Sequence, residues 1–408
     1  MGGCVTKPEG PARTVRPAKG IKRFTSGEEF SPVLVDDGQP PPRRTETDAA
    51  SQPRNPTDRT ASRVGRSHTG SHVSADLPLG PDFLEPCASI DDFEVGRVLG
   101  TGTYGIVQVA RHVATGTRVA IKSISKARTI EGHQVPHILS EREILAAIRC
   151  PFCVSLRGTF QDAERVFFVM DFVPGGELFT LLTVHGSLPE PVARFYSAEV
   201  VLAFEYLHAR NVAYRDLKPE NVLIDADGHI KLADFGFAKV VPSDWRTFTL
   251  CGTPDYSAPE VILNKGHGKA VDWWALGVLL FEMLAGFPPF FDDDLSQCYK
   301  KILRGDVRYP EHLSVLATDL ISRLLQHDLS KRLGNQHRGV QDIKNHPFFA
   351  GIPWQALAAL KYPPPHIPQL AGPDDTSCFD DYSGALESSR MKHPFVLSPH
   401  EQEFFKDF

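Results

Sequence analysis

Asp216, Lys218 and Asn221 share one short run, V-A-Y-R-D-L-K-P-E-N at 212–221, and their spacing suits the movement of a phosphoryl group. Asp216 can accept a hydrogen bond from a substrate hydroxyl, aim it, and take its proton late in the transfer. Lys218 can neutralise charge on the moving group, and the Asn221 carbonyl oxygen is a hard ligand suited to Mg²⁺. Thirteen residues after Asn221, Asp234-Phe-Gly236 follows an apolar run (HIKLA) and offers the main carboxylate for a metal. Such sparse protein ligation is what Mg²⁺ bridging ATP phosphates requires, because phosphates and waters complete its shell.

Upstream lies Gly100-Thr101-Gly102-Thr103-Tyr104-Gly105, between two runs that read as strands. A dinucleotide-binding turn would need a helix directly after it, and IVQVARHV does not read as one. A hairpin here lets backbone N–H groups approach phosphates from above. In Val119-Ala-Ile-Lys122 an ammonium ends an apolar strand, where it is costly unless paired. Glu141, on the following helical stretch, is its natural partner.

These residues must be held by a chain of 408 residues that is 41% hydrophobic and 23% charged, long enough for two lobes with a sizeable core. A net charge of −6 carries no nucleic-acid footprint. FEVGRVLG, IVQVARHV, TRVAIKSI, SLRGTF and RVFFVMDF read as strands, and HILSEREILAAI as a helix between the third and fourth. Beyond Gly175-Gly176 the pattern is mostly helical. The expected fold is α+β and two-lobed, with a β-rich N-lobe (93–170), a helical C-lobe (174–349) and an ATP cleft between them. Residues 350–408 form a Pro-rich, irregular tail, and residues 1–85, poor in large apolar groups, are expected to be disordered. Trp273–Gly286 is too short to span a bilayer and contains Glu282, so it reads as a buried helix. Seven scattered cysteines without a secretory signal suggest reduced thiols in a cytoplasmic setting. Cys150-Pro-Phe-Cys153 imitates a redox or zinc pair but has no second pair at zinc spacing, and reads as structural.

Glycine loop, V-A-I-K, helix Glu, R-D-x-K-x-x-x-N, D-F-G and Ala258-Pro-Glu260 occur in this order, and with them the chain resembles a eukaryotic protein kinase from Phe93 to Phe349. Tyr214, where most such loops carry His, resembles the habit of the group containing the cyclic-nucleotide-dependent kinases. The resemblance implies an apolar spine of Leu145, Leu156, Phe235 and Tyr214 anchored by Asp272. It implies adenine between Val107, Ala120 and Leu223, with Met170 behind, Asp171 to Val173 as hinge, and Phe379 of the tail nearby. Glu260 should pair with Arg332, and Thr253 should hydrogen-bond Asp216 and Lys218.

The same resemblance makes Thr249 the phosphorylated position, with Arg215, Lys239 and His137 as its cationic neighbours. Glu177, Glu220 and Glu282 match acids that receive arginines before the target, which implies R-R-x-S-like protein substrates; Glu177 also borders the nucleotide. Phe237 suggests Ser over Thr. Ser257 departs from the apolar residue of similar kinases, and Phe248 stands where they carry a Trp. A separate cAMP-binding regulatory subunit is the implied partner, and the terminal F-x-x-F, Phe405 to Phe408, should fill an apolar pocket on the small lobe. A related kinase answering to cGMP or lipid, and a scaffold without chemistry, are the alternatives.

Met1-Gly-Gly-Cys-Val-Thr6 fits the N-myristoylation rule at Gly2, and Cys4 can take a second acyl chain. With the basic residues of 7–23, this would hold the protein at a cytoplasmic membrane face. Arg59-Thr-Ala-Ser62 resembles the enzyme's own target.

Overall fold

The computed structural model describes residues 84, 87–102, 104–242, 245–249, 251–382 and 397–408. Gly2, Cys4, Ser62 and Thr103 lie outside them.

Strands rich in Val, Ile and Phe build one antiparallel sheet of β1 (Phe93–Thr101), β2 (Gly105–His112), β3 (Arg118–Ser125), β4 (Leu156–Gln161) and β5 (Arg165–Asp171), in the order β1-β2-β3-β5-β4. One face packs on α2 (Val135–Ala147), which buries Ile138, Glu141, Ile144 and Leu145. The short α1 (Lys126–Glu131) joins β3 to α2. The opposite face of the sheet, with Phe93, Ile121, Phe160 and Phe167, is covered by Leu84, Cys87 and Ile90. Gly158 makes room there: a Cβ on it would stand 2.4 Å from the Cys87 sulfur.

The second lobe is built around α4 (Glu190–Ala209) and α6 (Ala270–Ala285), with α3 (Leu178–His185) packed on the 219–224 segment and α5 (Pro259–Ile262) packed on α7 (Leu295–Arg304). Its other main helix is α8 (Val315–Leu324). Trp273 and Trp274 are buried, as expected of the 273–286 run. No helix among the described residues is long and apolar enough to cross a membrane. Short strands β6 (Val212–Ala213), β7 (Val222–Ile224), β8 (Ile230–Leu232) and β9 (Lys239–Val240) frame the loop of Asp216.

The tail is less irregular than its composition suggests, since it holds the helices Trp354–Ala358 and Pro399–Glu403. At its end Phe405 is fully buried and Phe408 meets Phe168 edge-on at 5.1 Å. The Lys126 ammonium lies 5.3 Å from the Phe405 ring, and Gln161 Nε2 donates to the Phe405 carbonyl at 2.8 Å. Removing a buried Phe ring costs about 3–5 kcal/mol. Phe405→Ala should therefore release the terminal segment from the small lobe. Limited proteolysis would show it as faster cleavage between 383 and 404; an unchanged rate would mean the ring holds nothing in place.

Candidate active site

The glycine hairpin joins β1 to β2, and Gly102 N–H donates to the Gly105 carbonyl at 2.9 Å. Gly105 has no room for a side chain: a Cβ would stand 2.1 Å from the Ser123 carbonyl oxygen. The Tyr104 side chain turns away from the loop tip and packs on Gly132. Below the hairpin, Lys122 Nζ lies 2.7 Å from Glu141 Oε1 and 3.0 Å from Asp234 Oδ1. Burial disfavours the ammonium, but the two carboxylates more than offset this and hold its pKa above the ordinary value. The Lys122 charge in turn keeps Asp234 ionised, below the usual carboxylate range.

Asp272 of α6 fixes the loop between β6 and β7. Its carboxylate accepts the N–H groups of Tyr214 (3.0 Å) and Arg215 (2.8 Å) and a hydrogen bond from His208 (2.7 Å). These bonds offset a left-handed Arg215 backbone, φ +68°, which a side chain normally avoids. Tyr214 meets Phe235 edge-on at 5.2 Å, and its hydroxyl donates to the Ala233 carbonyl. Leu145, Leu156, Tyr214 and Phe235 are all buried in one core.

Asp216 is 3% exposed. Asn221 Nδ2 donates to both its backbone oxygen and Oδ2, each at 2.8 Å, and Lys218 Nζ lies 3.4 Å from Oδ2. Oδ1 is buried without a partner, on the side of Gly252. Burial, with a contribution from the Asp234 charge, raises the carboxyl to about 6 although Lys218 opposes the shift. The expected bond from Thr253 is not made. Oδ2 is turned to Asn221 and Lys218, and Thr253 instead accepts Ser257 Oγ at its carbonyl, at 3.2 Å. Both residues line a small cavity with Asp216.

With Nδ2 committed to Asp216, the Asn221 amide oxygen remains for another ligand, and Asp234 supplies an ionised carboxylate. This all-oxygen donor set fits a hard divalent cation that draws its other ligands from phosphates and water.

The chain just beyond the hinge pairs with β7: Gly175 N–H donates to Ile224 O at 3.0 Å and Ile224 N–H to Gly176 O at 2.9 Å. That pairing sets Leu223 beside Glu177, while Ala120 pairs with Met170 and Val107 with Lys122 in the sheet. The Asp171 side chain is turned to Arg157, at 2.6 Å, so it reaches the cleft only through its backbone. Phe379 stacks on Phe172 at 6.2 Å. Arg97 of β1 donates to the carbonyls of Thr376, Phe379 and Asp380 (3.3, 3.2 and 2.8 Å), and Arg118 pairs with Asp374. Neither arginine was marked by sequence spacing, because each partner lies more than 250 positions away.

Glu177 caps α3, which packs on the 219–221 turn carrying Glu220. Glu282, at the end of α6, accepts the Tyr256 hydroxyl; burial, helped by Glu220 and Asp255, raises it to about 8. Asp255 is a fourth acid that the sequence reading passed over. Its carboxylate accepts the Cys298 thiol at 3.2 Å, and burial lifts its pKa.

Thr249 is half-buried. Lys239 Nζ donates to Thr247 Oγ1 at 3.1 Å rather than to Thr249, and the two hydroxyls are 3.4 Å apart. His137 lies in the field of Arg215 and Lys239, and burial together with these cations holds its pKa below the usual histidine value. Arg215 Nε is bonded to the Phe237 carbonyl at 2.7 Å, and its NH1 lies 3.4 Å from His267.

A bilobal fold with a Lys–Glu–Asp cluster facing a buried Asp–Lys–Asn loop agrees with the match of residues 93–349 to the protein kinase domain family, and the chain belongs to that family. It is 47% identical over 297 residues, 73% of this chain and 82% of its relative, to the Homo sapiens protein named "cAMP-dependent protein kinase catalytic subunit PRKX". It is 48% identical over 295 residues (72% and 74%) to "cAMP-dependent protein kinase type 3" of Saccharomyces cerevisiae. The same yeast's "Serine/threonine-protein kinase YPK1" is 46% identical over 310 residues, 76% of this chain and 45% of that protein. The protein is accordingly a serine/threonine protein kinase, an enzyme class that uses ATP and a divalent metal ion.

Proposed function

We propose that this kinase transfers the ATP γ-phosphate to Ser, less often Thr, in proteins with arginines shortly before the target, as a catalytic subunit released by cAMP from a regulatory partner. The observation that carries the chemistry is the unpartnered, buried Oδ1 of Asp216, an acceptor held beside Lys218 with nothing yet to accept from. Asp216 receives the hydroxyl proton and orients the oxygen. Lys218 stabilises charge on the transferred group. Lys122, kept charged by Glu141 and Asp234, grips phosphate oxygens under the glycine hairpin. Asp234 and Asn221 would hold Mg²⁺, which supplies charge neutralisation at the phosphates.

Glu177, Glu220 and Glu282 form the seat for substrate arginines, and phosphate on Thr249 would draw on Arg215, Lys239 and His137. Myristoylation of Gly2 and acylation of Cys4 would add a membrane-facing end. The test is phosphate transfer to an R-R-x-S peptide with and without a cAMP-binding regulatory subunit. Suppression relieved by cAMP supports the reading. Transfer that ignores the subunit hands regulation to another signal, an outcome favoured by the similarity to YPK1 and by Phe248, 61% exposed where similar kinases carry Trp. No transfer from protein phosphorylated at Thr249 would leave a scaffold.

The buried Glu282 makes a further prediction. A guanidinium can pair with it only in its ionised form, so binding the arginine expels a proton whenever the pH is below about 8. KM for R-R-x-S should fall as pH rises from 6.5 to 8, by up to about tenfold per unit. A peptide lacking the arginine that meets Glu282 should show no such slope; equal slopes for both peptides would remove Glu282 from the arginine site.

A further inference from the structure

Cys150 and Cys153 take no part in the site described above, and the structure gives them properties that the sequence reading did not. Cys150-Pro151-Phe152-Cys153 is a tight turn, closed by a 3.1 Å hydrogen bond from Cys153 N–H to the Cys150 carbonyl. A turn of this kind holds its first and last Cα atoms within about 7 Å, the outer reach of a disulfide. Both thiols are free. Cys150 lies near the surface, 7% exposed between exposed Arg149 and Pro151, while Cys153 is fully enclosed.

The surroundings divide the pair into unequal roles. Lys231 donates to the Pro151 carbonyl at 3.2 Å, and both it and Arg210 favour negative charge on Cys150. The partner thiol, which acts most strongly, and the Phe152 N–H lower the Cys150 pKa against the opposing effect of its own burial, whereas burial raises that of Cys153. Cys150, at the outer end of the turn, is the sulfur an oxidant can reach, and the enclosed Cys153 is placed to resolve it, an arrangement that makes a cysteine pair reactive.

We propose that Cys150 and Cys153 are a peroxide-driven, reversible disulfide site. The Cys150 thiolate attacks one oxygen of hydrogen peroxide; an S–O bond forms, the O–O bond breaks, and the departing hydroxide takes a proton to become water. The Cys153 sulfur then attacks the sulfenic sulfur of Cys150. The S–S bond forms, the S–O bond breaks, and the hydroxyl leaves as water with the Cys153 proton. Two thiols and one peroxide yield one disulfide and two waters, and a dithiol reductant reverses the change.

The turn is stapled to the strand that leads to Asp234. Leu232 N–H donates to the Phe152 carbonyl at 2.8 Å, and Val154 N–H donates to the Leu232 carbonyl at 3.0 Å. Closing a bridge within the turn acts directly on the segment that this staple holds. Leu232 stands two residues before Asp234, so the oxidised enzyme should transfer phosphate several-fold more slowly until reduced.

The test exposes the reduced, full-length kinase to hydrogen peroxide and digests it without reductant. The expected product is a peptide carrying Cys150 and Cys153, lighter by two hydrogens, which disappears on reduction as activity returns. In Cys153→Ser the reaction should stop at sulfenic acid on Cys150, which dimedone labels. Recovery of both cysteines as free thiols, with no dimedone adduct in the variant, overturns the proposal. So does activity loss without the linked peptide, which would assign the sensitivity to another thiol, Cys251 beside Asp216 first.

Discussion

Asp216→Asn should give a folded protein that still binds ATP, with kcat on an R-R-x-S peptide lower by about 10³-fold, within the range for losing a positioned proton acceptor. The substitution keeps shape, and an amide oxygen can still accept from Asn221 Nδ2, now at 2.8 Å from Asp216 Oδ2. What changes is the other arm. Oδ1, buried and unpartnered, would become an NH₂ group that offers a hydrogen where the substrate hydroxyl also offers one. The loss should fall on kcat, with KM for ATP nearly unchanged, because Lys122 and the glycine hairpin stand apart from this carboxylate.

The wild type should also show an acid limb. The active form is the carboxylate, and burial raises its pKa to about 6. Activity is present above that value and lost as pH falls through it, so on a peptide lacking the arginine that meets Glu282, kcat/KM of the free enzyme should drop tenfold per unit below about pH 6. The variant should lack this limb. A kcat within tenfold of wild type would show that the hydroxyl is positioned by something else.

The largest stability effect is expected at Arg332. This side chain is fully buried and reaches Glu260 with two bonds, 2.6 and 2.9 Å, while also donating to the carbonyls of Gln326 and Ala270 at 2.9 and 3.0 Å. Arg332→Ala leaves the Glu260 carboxylate buried and unpaired, at a cost of about 3–5 kcal/mol. Against a total of about 5–15 kcal/mol for a folded domain, that is a large fraction. Thermal unfolding should begin roughly 10 °C lower, at about 2–4 °C per kcal/mol. Replacing both partners together, Glu260→Gln with Arg332→Met, should recover much of the loss, since no lone charge remains. A single variant that melts within about 2 °C of wild type would show that water reaches Glu260 and solvates it.

Much of this arrangement could be read from local signals. Runs rich in Val and Ile between Gly-containing turns marked the strands, and the order of short polar motifs marked Lys122, Glu141, Asp216, Asn221 and Asp234. Their spacing carries over because each motif sits on a strand end or tight turn whose backbone leaves little choice. Contacts that depend on distant chain segments were not legible. Nothing near Arg97 signals Phe379, nothing near Cys298 signals Asp255, and nothing in R-G-T-F announces that Gly158 leaves space for Cys87. The short α1 was hidden because S-I-S-K-A-R continues a β-branched strand, and only the Ser125 hydroxyl, accepting Arg128 N–H, turns the chain into a helix. The expected Thr253 bond failed for a related reason: a motif names neighbours but does not say which lone pair each one takes.

Leu84, Cys87 and Ile90 lie outside residues 93–349, and so do Phe405 and Phe408, yet all five complete apolar surfaces of the small lobe. A fragment trimmed to the family boundaries would present two greasy faces to solvent, one over Phe160 and Phe167, the other over Phe168 and Lys126. Such a fragment should clump during expression even with every residue near Asp216 intact. For this chain, the smallest piece that does the chemistry is larger than the smallest piece that carries the motifs.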